Sequence, residues 1–400
     1  PLLVVTLSMV VPVLSIVGQA PPTGSVTIGR RDSVTSRILK ETRKLLVYTP
    51  PSYNDTTYLP RRYPVLYLLD GDAHFHSVTG LLQILGTGVN GTFVLPEMIV
   101  VAIPNTDRTR DLTPTHVLTD LAGKPSPAFK TSGGMPNFLQ FIQTELIPHI
   151  ESTYRTMPYR VFIGHSLGGI TTINALYTVP QLFNAYVAID PSLWWDNRTL
   201  LKQAKAHVDK PGLAGRALFV GQANTINADD TTSNQHFDSI IQFNAILEAH
   251  NQSGLRYAYK YYPHDDHGSV PMIAEYDALR FIFAAYRGNI FASLERPAYL
   301  TEHFARISES LGVRFDPPES MVDLLGNLEM ARDTTKAIAL FTLNTDLYPA
   351  SPNAWGSLAK AQLTAADTSQ AIAALQRVLA LKPGQPAATD LLKKVGARRQ

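Results

Sequence analysis

Ser166 has a setting that could do chemistry, because it stands between two glycines in the stretch GHSLG, residues 164–168. A serine that projects from a sharp turn between a strand and a helix needs neighbours without side chains, which relieve the clash between the two elements. The residues before the motif are typical of a strand, and those after it are compatible with a helix. The pattern therefore predicts a nucleophilic serine, and the alternative is a serine in a merely structural turn.

His267 is the candidate base for Ser166. A serine hydroxyl is a poor nucleophile until a base removes its proton, and in hydrolases built around such a turn the histidine comes late in the chain. His267 lies in the turn that follows the last candidate strand, residues 257–263, and a helical stretch begins only after it. The rival is His264, which adjoins the proline that ends the strand. We therefore prefer His267.

The carboxylate that should orient His267 is the weak point of the pattern. Such a residue usually follows the strand before the one that leads to the histidine, here residues 216–221, and none stands immediately after that strand. The later loop and the turn beside the histidine offer the candidates, which are Asp230, with Asp229, Asp238 and Asp265 as alternatives. A serine–histidine pair steadied only by a backbone carbonyl is a further possibility. We favour the loop carboxylates, with Asp230 as the named choice.

Acyl transfer also needs two hydrogen-bond donors aimed at the developing oxyanion. The backbone amide of Leu167, at the start of the helix after the serine, is one candidate. The second should come from the loop after the third strand, where Gly71 and Asp72 are the nearest residues. His74 and His76 in the same loop resemble a metal pair, but no carboxylate or cysteine pattern completes a site. We therefore expect neither a metal nor a cofactor.

These residues need a scaffold, and the chain between Val26 and about Arg287 provides one. Short β-rich runs alternate with segments of helical periodicity, and several runs are apolar on both faces, as in strands buried between two helix layers. This alternation predicts the α/β class, with a doubly wound and mostly parallel sheet. Only turn-rich segments separate the opening strands, so we expect those strands to be antiparallel.

A helical region follows the last strand signal, which ends at about Leu294. The pattern over residues 319–397 repeats with a period of 34 residues, as when Pro349 recurs as Pro383. This is the period of tetratricopeptide repeats. We therefore expect an all-helical, tetratricopeptide-like region at residues 296–400 that binds a protein partner, and the alternative is a plain helical cap.

The composition limits the compartment and the partners. The chain of 400 residues has 35 Lys and Arg against 33 Asp and Glu, so its net charge of +2 offers no broad field for nucleic acid or an anionic membrane. It contains no cysteine, which excludes thiol nucleophiles, disulfides and Cys-ligated zinc. Residues 1–20 are uncharged, mostly apolar and end in small residues, which predicts a signal peptide and an exported protein, periplasmic or secreted. A retained membrane anchor is the alternative, and we expect no anchor once the signal is cleaved.

Five stretches resemble a known family, in order and over roughly residues 35–285. They are YPVLYLLDGDAHF, IVVAIPNTDRTRDLTPTH, GHSLGG, AIDPSLWWDN and HGSVP. This set is similar to the esterase family of α/β hydrolases, which includes esterase D-like enzymes and ferric-siderophore esterases. The resemblance implies an α/β-hydrolase domain over residues 21–295 and ester hydrolysis by Ser166 and His267. The chain departs from the family pattern at residues 222–224, where QAN stands in place of a carboxylate.

The resemblance also implies roles around the cleft. Arg108, Arg110 and Asp111 would shape its wall, and Trp194 and Trp195 would lie near the bound acyl group. From the residues alone, the Arg-Asp stretch is equally compatible with a salt-bridged surface loop, and the tryptophans with core packing.

We expect an exported serine esterase that hydrolyses small-molecule carboxylic esters through an acyl-enzyme on Ser166, without a cofactor. Two alternatives remain open. A ferric-siderophore trilactone esterase would need a cationic cleft, and the motif stretches contain few basic residues other than Arg108 and Arg110. A non-catalytic hydrolase-fold scaffold would instead use the helical tail to bind a protein.

Overall fold

The structure is a computed structural model that describes residue 24 and residues 26–120, 123–210, 212–229, 234–250 and 253–397. The predicted signal peptide, residues 1–20, and the candidate Asp230 lie outside the described residues. The described strands are β1 (Arg30–Ser36), β2 (Glu41–Tyr48), β3 (Tyr63–Leu68), β4 (Thr92–Phe93), β5 (Ile99–Ala102), β6 (Thr156–His165), β7 (Ala185–Ile189), β8 (Ala217–Ala223), β9 (Arg256–Tyr262) and β10 (Gly288–Asn289).

The helices of the first part are α1 (Gly71–Gly86), α2 (Arg108–Leu112), α3 (Met135–Phe141), α4 (Ile147–Thr153), α5 (Leu167–Thr178), α6 (Trp195–Val208), α7 (Gln235–His250) and α8 (Val270–Ile282). A π-helical turn, Ile142–Leu146, joins α3 to α4. The later helices are α9 (Ala292–Glu295), α10 (Ala298–Leu311), α11 (Glu319–Glu329), α12 (Thr334–Leu347), α13 (Pro352–Thr364), α14 (Thr368–Leu381) and α15 (Pro386–Ala397).

Eight strands form one sheet in the order β1-β2-β5-β3-β6-β7-β8-β9. β2 pairs antiparallel with both β1 and β5, and every other pair of neighbours in this sheet is parallel. Every residue of β3, β5, β7 and β8 is buried, as expected for apolar runs between two helix layers. The predicted α/β fold, with a mostly parallel sheet and antiparallel opening strands, is therefore confirmed.

Helices cover both faces of the sheet. One face carries α3 to α7, which pack apolar side chains such as Ile170 and Phe243 against the strands. The other carries α1 and α8, which contribute Val78 and Ala274 to a second core. Because the parallel strands run in one direction, their carboxyl ends meet at the same edge of the sheet. That edge carries the residues that follow β3, β6, β7 and β9, which include most of the candidates for chemistry.

The C-terminal helices share a core with the sheet. Phe304 of α10 and Val322 of α11 pack into the same cluster as α8, and the amide of Leu59 donates a hydrogen bond to the Glu319 carboxylate at 2.9 Å. The predicted boundary between residues 295 and 296 therefore does not separate two independent cores. α12 and α14 begin 34 residues apart, at 334 and 368, while the tetratricopeptide-like role of the region stays a prediction.

None of the described helices combines the length and the apolar character needed to cross a membrane.

Candidate active site

Ser166 occupies a strained turn between β6 and α5. Its φ of 59° and ψ of −114° are rare for a residue with a side chain. The packing requires glycines around it, since a Cβ on Gly164 would lie 2.2 Å from the Gly168 carbonyl oxygen and one on Gly169 would lie 2.9 Å from Cα of Pro191. The predicted order of strand, serine and helix is therefore present, with the serine at the carboxyl end of β6.

His267 follows β9 and lies at the same edge of the sheet. Its Nδ1 is 2.5 Å from Oδ2 of Asp190, so Nε2 is the ring nitrogen left to take a proton. The imidazole side chain is 43% exposed. Among the described residues, the Ser166 hydroxyl forms its hydrogen bond with Ser192 Oγ, at 3.2 Å, and not with His267. Catalytic hydrogen bonds are often long in a free enzyme and tighten in its complexes. The rival, His264, is exposed.

His165, which precedes the serine, packs against His267 with 4.5 Å between the ring centroids. Burial, reinforced by the neighbouring imidazole of His267, lowers the pKa of His165 to about 3. The His165 ring is therefore neutral at physiological pH and does not repel a positive charge on His267.

Asp190 is the carboxylate at His267, which corrects the prediction of the acid. Asp190 directly follows β7, is fully buried and has a φ of 41°. The predicted alternatives lie elsewhere, since Asp229 and Asp238 are exposed and the Asp265 carboxylate is engaged within its own turn. The prediction was wrong because it looked beyond β8, whereas β7 lies directly beside the serine-bearing β6 in the sheet.

Three hydrogen bonds keep the Asp190 carboxylate ionised. Oδ1 accepts from the amide of Ala223 at 2.9 Å, and Oδ2 accepts from His236 Nε2 at 2.8 Å as well as from His267. Burial by itself raises the pKa of Asp190, but these donors outweigh burial and hold that pKa well below its ordinary value. The end of β8, where a carboxylate was expected, thus supplies an amide donor to a carboxylate on the neighbouring strand.

A sequence signal for Asp190 does exist. An aspartate follows the apolar run of β7 without a gap and precedes Pro191, within the stretch AIDPSLWWDN that carries the family resemblance. His236 has no comparable signal, because a histidine in the first turn of a helix is unremarkable until the fold brings it to Asp190.

The backbone amides predicted to bind the oxyanion differ in whether they already donate a hydrogen bond within the protein. The amide of Gly71 donates to the Ile103 carbonyl at 3.0 Å, so it is not free for an oxyanion and that choice was wrong. Gly71 instead allows close packing, since a Cβ there would lie 2.7 Å from the Ile103 nitrogen. Asp72 and Leu167 both lie in the first turn of a helix, α1 and α5, where amides lack partners within the helix. These two amides remain the candidates.

Arg108 bridges two elements at the edge of the site. Its Nε and one terminal nitrogen lie 2.7 and 3.0 Å from the two carboxylate oxygens of Asp70, and the same terminal nitrogen is 3.3 Å from the His165 carbonyl oxygen. Burial alone raises the pKa of Asp70, but the Arg108 guanidinium and the hydrogen bond from the Asn105 amide contribute to a net lowering of that pKa. Arg108 therefore ties the end of β3 to the end of β6.

Arg110 and Asp111 belong to a partly buried ion network. Asp111, 2% exposed, pairs with Arg110 at 2.7 Å and with the buried Arg43 at 2.5 Å, and Arg110 also pairs with Glu41 at 2.7 Å. This network joins α2 to β2. The salt-bridged interpretation of the stretch therefore fits the structure better than an assignment of these two residues to the cleft wall.

The two tryptophans have different environments. Trp195 is 2% exposed, donates from Nε1 to Thr115 Oγ1 at 3.2 Å and packs edge-to-face on Phe129. It is thus a core residue and not a wall of the acyl site. Trp194 is only half-buried, and it stays a candidate for contact with the substrate.

His74 and His76 do not converge on a metal, since His74 Nδ1 lies 3.7 Å from the buried Glu275 and His76 is exposed. Asp190, His236 and His267 are a donor set of the kind that binds zinc. Their nitrogen–oxygen distances of 2.5 and 2.8 Å are those of direct hydrogen bonds. Two ligands of one tetrahedral zinc ion lie about 3.3 Å apart. The described geometry therefore fits a hydrogen-bonded triplet better than a zinc centre.

Comparisons with known proteins agree with this fold. The crystal structure of an IroE-like serine hydrolase from Shewanella oneidensis superposes with a TM-score of 0.71 and 34% sequence identity, and the match covers 80% of this chain and 99% of that one. The fold is therefore that of the α/β hydrolases.

Two curated relatives are similar over a shorter stretch. The ferri-bacillibactin esterase BesA of Bacillus subtilis (strain 168) is 36% identical over 152 residues, 36% of this chain and 53% of that protein. The siderophore enterobactin esterase of Emericella nidulans is 34% identical over 170 residues, 38% of this chain and 52% of that protein. The chain thus spans about half the length of the curated relatives it matches.

The family comparison covers the whole candidate site. Residues 36–271 match the family described as "Putative esterase". This range contains Ser166, Asp190 and His267 and extends over more than half of the 400 residues. The chain belongs to this esterase family.

Proposed function

We propose that the protein hydrolyses carboxylic esters with Ser166 as the nucleophile, His267 as the base and Asp190 as the carboxylate that orients His267. The observation that carries the proposal is the hydrogen bond between His267 and the buried Asp190, at the same sheet edge as the strained Ser166 turn. Family membership supports the reaction class.

In the proposed reaction, Ser166 Oγ attacks the ester carbonyl carbon while His267 Nε2 takes the hydroxyl proton. Nε2 then gives this proton to the departing alcohol oxygen, which leaves an acyl-enzyme. Water attacks the acyl carbon with His267 again as the base, and the carboxylic acid leaves as Ser166 is restored. Asp190 stays ionised and stabilises the imidazolium, while the amides of Leu167 and Asp72 are the proposed donors to the oxyanion.

Steady-state hydrolysis of a short-chain nitrophenyl ester tests the proposal. We expect Ser166→Ala to lower kcat by at least about 1000-fold, because the nucleophile is lost. Ser152→Ala, which removes an exposed serine of α4, serves as the matched control and should keep the wild-type rate. Equal rates for Ser166→Ala and the wild type, with both proteins folded by circular dichroism, would reject the proposal.

A siderophore ester is the narrower candidate substrate. The similarity to a ferri-bacillibactin esterase and to an enterobactin esterase supports it. Arg108 and Arg110, however, are paired with carboxylates, so neither is a free cation for an anionic ferric catecholate. A kcat/KM for a ferric trilactone well above that for the nitrophenyl ester would support the siderophore, and a ratio below one would favour simple esters.

We also propose that the protein acts outside the cytoplasm, on the basis of the apolar stretch 1–20. Fractionation of expressing cells, followed by N-terminal sequencing, tests this location. A mature N-terminus near residue 21 in the periplasm or the medium is expected. A full-length chain in the cytosol would contradict export.

A further inference from the structure

His236 contacts Asp190, although the proposed reaction needs only one histidine, His267. It stands in the first turn of α7, and its Nε2 is 2.8 Å from Oδ2 of Asp190. The same oxygen accepts from His267 Nδ1 at 2.5 Å. The two imidazole rings are nearly perpendicular, with 5.3 Å between their centroids. One carboxylate oxygen thus joins two histidines from different elements.

The hydrogen bonds leave the Asp190 carboxylate one orientation. The Ala223 amide holds Oδ1, and the two imidazoles hold Oδ2. A rotation about the Cβ–Cγ bond would break all three hydrogen bonds together. Without His236, the carboxylate would keep one donor on each oxygen, the Ala223 amide on Oδ1 and the partly exposed His267 imidazole on Oδ2.

Hydrogen bonds from β8 and β9 fix the helical turn that contains His236. Gln222, at the end of β8, donates from Nε2 to the carbonyl of Phe237 at 3.1 Å. The Tyr259 hydroxyl donates to Gln222 Oε1 at 2.6 Å. The first turn of α7 is therefore tied to β8 and β9 next to His236. His236 itself is only 13% exposed, so solvent competes little for its hydrogen bond.

We infer that His236 is a positioning residue of the esterase site, which acts by holding the Asp190 carboxylate in the orientation that Asp190 needs to steady His267. The inference rests on the proposed function. His236 Nε2 carries the proton in this arrangement, and in a neutral imidazole Nδ1 is then the acceptor nitrogen. No bond to His236 forms or breaks in the reaction.

Kinetics of His236→Ala and His236→Gln test the inference on the full-length chain. The glutamine amide can take the place of the Nε2 donor, whereas alanine removes it. We expect His236→Ala to lower kcat by about 10- to 100-fold, the range for a charged acceptor that loses one donor, with KM within about twofold. We expect His236→Gln to recover most of that loss.

Two controls separate the possible failures. His250→Ala removes the histidine at the other end of α7 and should leave kcat unchanged. Ser166→Ala tests the proposed function, because activity that survives in this variant refutes the proposed reaction whatever His236 does. If Ser166→Ala is inactive, a wild-type kcat for His236→Ala overturns the inference about His236 alone.

Two further results would also overturn it. Equal losses in His236→Ala and His236→Gln, together with equal falls in Tm, would mean that His236 serves only the stability of α7. Loss of wild-type activity after dialysis against a chelator, with recovery on addition of Zn²⁺, would make Asp190, His236 and His267 metal ligands instead.

Discussion

Asp190 combines two features that cost stability, a left-handed backbone with a φ of 41° and a fully buried carboxylate. The Ala223 amide and the two imidazoles offset the burial, and the Asp190 amide donates to the Gly221 carbonyl at 2.7 Å, which holds the backbone. Strained backbone and buried charge concentrated at one residue are typical of functional sites.

Asp190→Asn tests the acid at the residue scale. An asparagine keeps the shape but can turn its amide toward His267, which disfavours the tautomer that leaves Nε2 free for the proton of Ser166. We therefore expect kcat for ester hydrolysis to fall by about 10⁴-fold, as for other serine–histidine–aspartate triads. Asp229→Asn, which changes one of the alternative carboxylates that the sequence offered, should keep the wild-type kcat. A wild-type kcat for Asp190→Asn together with a large loss of kcat for Asp229→Asn would refute the assignment of Asp190.

Glu275 of α8 gives a prediction about pH. It is 1% exposed, its Oε2 has no hydrogen-bond partner among the described residues, and burial raises its pKa from 4.5 to about 8. Between these two values the folded protein keeps a proton that the unfolded chain releases, so the free energy of unfolding falls as pH rises. Below about pH 4.5 both states are protonated, and the effect disappears.

Glu275→Gln should therefore gain stability relative to the wild type as pH rises from 5 to 9. Urea unfolding at pH 5, 7 and 9 measures the difference. Glu309→Gln, which replaces an exposed carboxylate of α10, is the control and should show no such trend. A difference between Glu275→Gln and the wild type that stays constant with pH would contradict the raised pKa of Glu275.

At the scale of elements, local sequence patterns predict strands and helices but not the contacts between them. The positions of Ser166 and His267 near the carboxyl edge of the sheet were predictable because each follows a candidate strand in the sequence, while their catalytic roles stay a proposal. Asp190 was missed, although it also follows a strand, because β8 lies between β7 and β9 in the sheet and the sequence does not show that His267 contacts the end of β7 across it. The salt-bridge partners of Arg108 and Arg110 could not be predicted from the sequence either, since Asp70 and Glu41 are far from them in the chain.

The turn between β6 and α5 depends on a glycine that can be tested. A Cβ at Gly164 would collide with the Gly168 carbonyl, and backbone cannot move aside as a flexible side chain can. We expect Gly164→Ala to lower the free energy of unfolding by about 2–4 kcal/mol. Gly80→Ala, in an open position of α1 with no atom within 4 Å of the added Cβ, should raise it by up to about 1 kcal/mol. Equal stability of the two variants, by urea unfolding, would contradict the close approach at Gly164.

At the scale of the whole molecule, the first helices of the C-terminal region share a core with the sheet, while α13 to α15 contribute to a separate apolar cluster. Helix α10 contributes Leu300, Phe304 and Ile307 to the cluster that also contains the buried residues of α8. The sequence predicted the helices and their 34-residue period from local pattern, but periodicity contains no information on where a helix docks. The packing of α10 and α11 into the core of the sheet could therefore not be predicted from the 34-residue period.

Two deletions should therefore behave differently. Deletion of residues 300–400 removes most of α10 and all of α11 to α15 and exposes the core that α10 and α11 cover, so we expect an insoluble or unfolded protein. Deletion of residues 367–400 removes only α14 and α15, whose apolar contacts are with α13. We expect this shorter chain to keep kcat/KM for ester hydrolysis within about twofold of the full length. Full activity of the longer deletion would contradict the shared core, and loss of activity in a folded shorter deletion would place part of the site in the tail.

The most direct test of the proposed catalysis is covalent labelling with a fluorophosphonate, read out by intact mass and peptide mapping. A serine activated by a histidine attacks phosphorus and keeps the adduct, whereas an ordinary serine does not react. We expect one adduct per chain, on the peptide that contains Ser166, and no adduct in Ser166→Ala. An unlabelled wild-type protein, or an adduct that persists in Ser166→Ala, would contradict the assignment of Ser166 as the nucleophile.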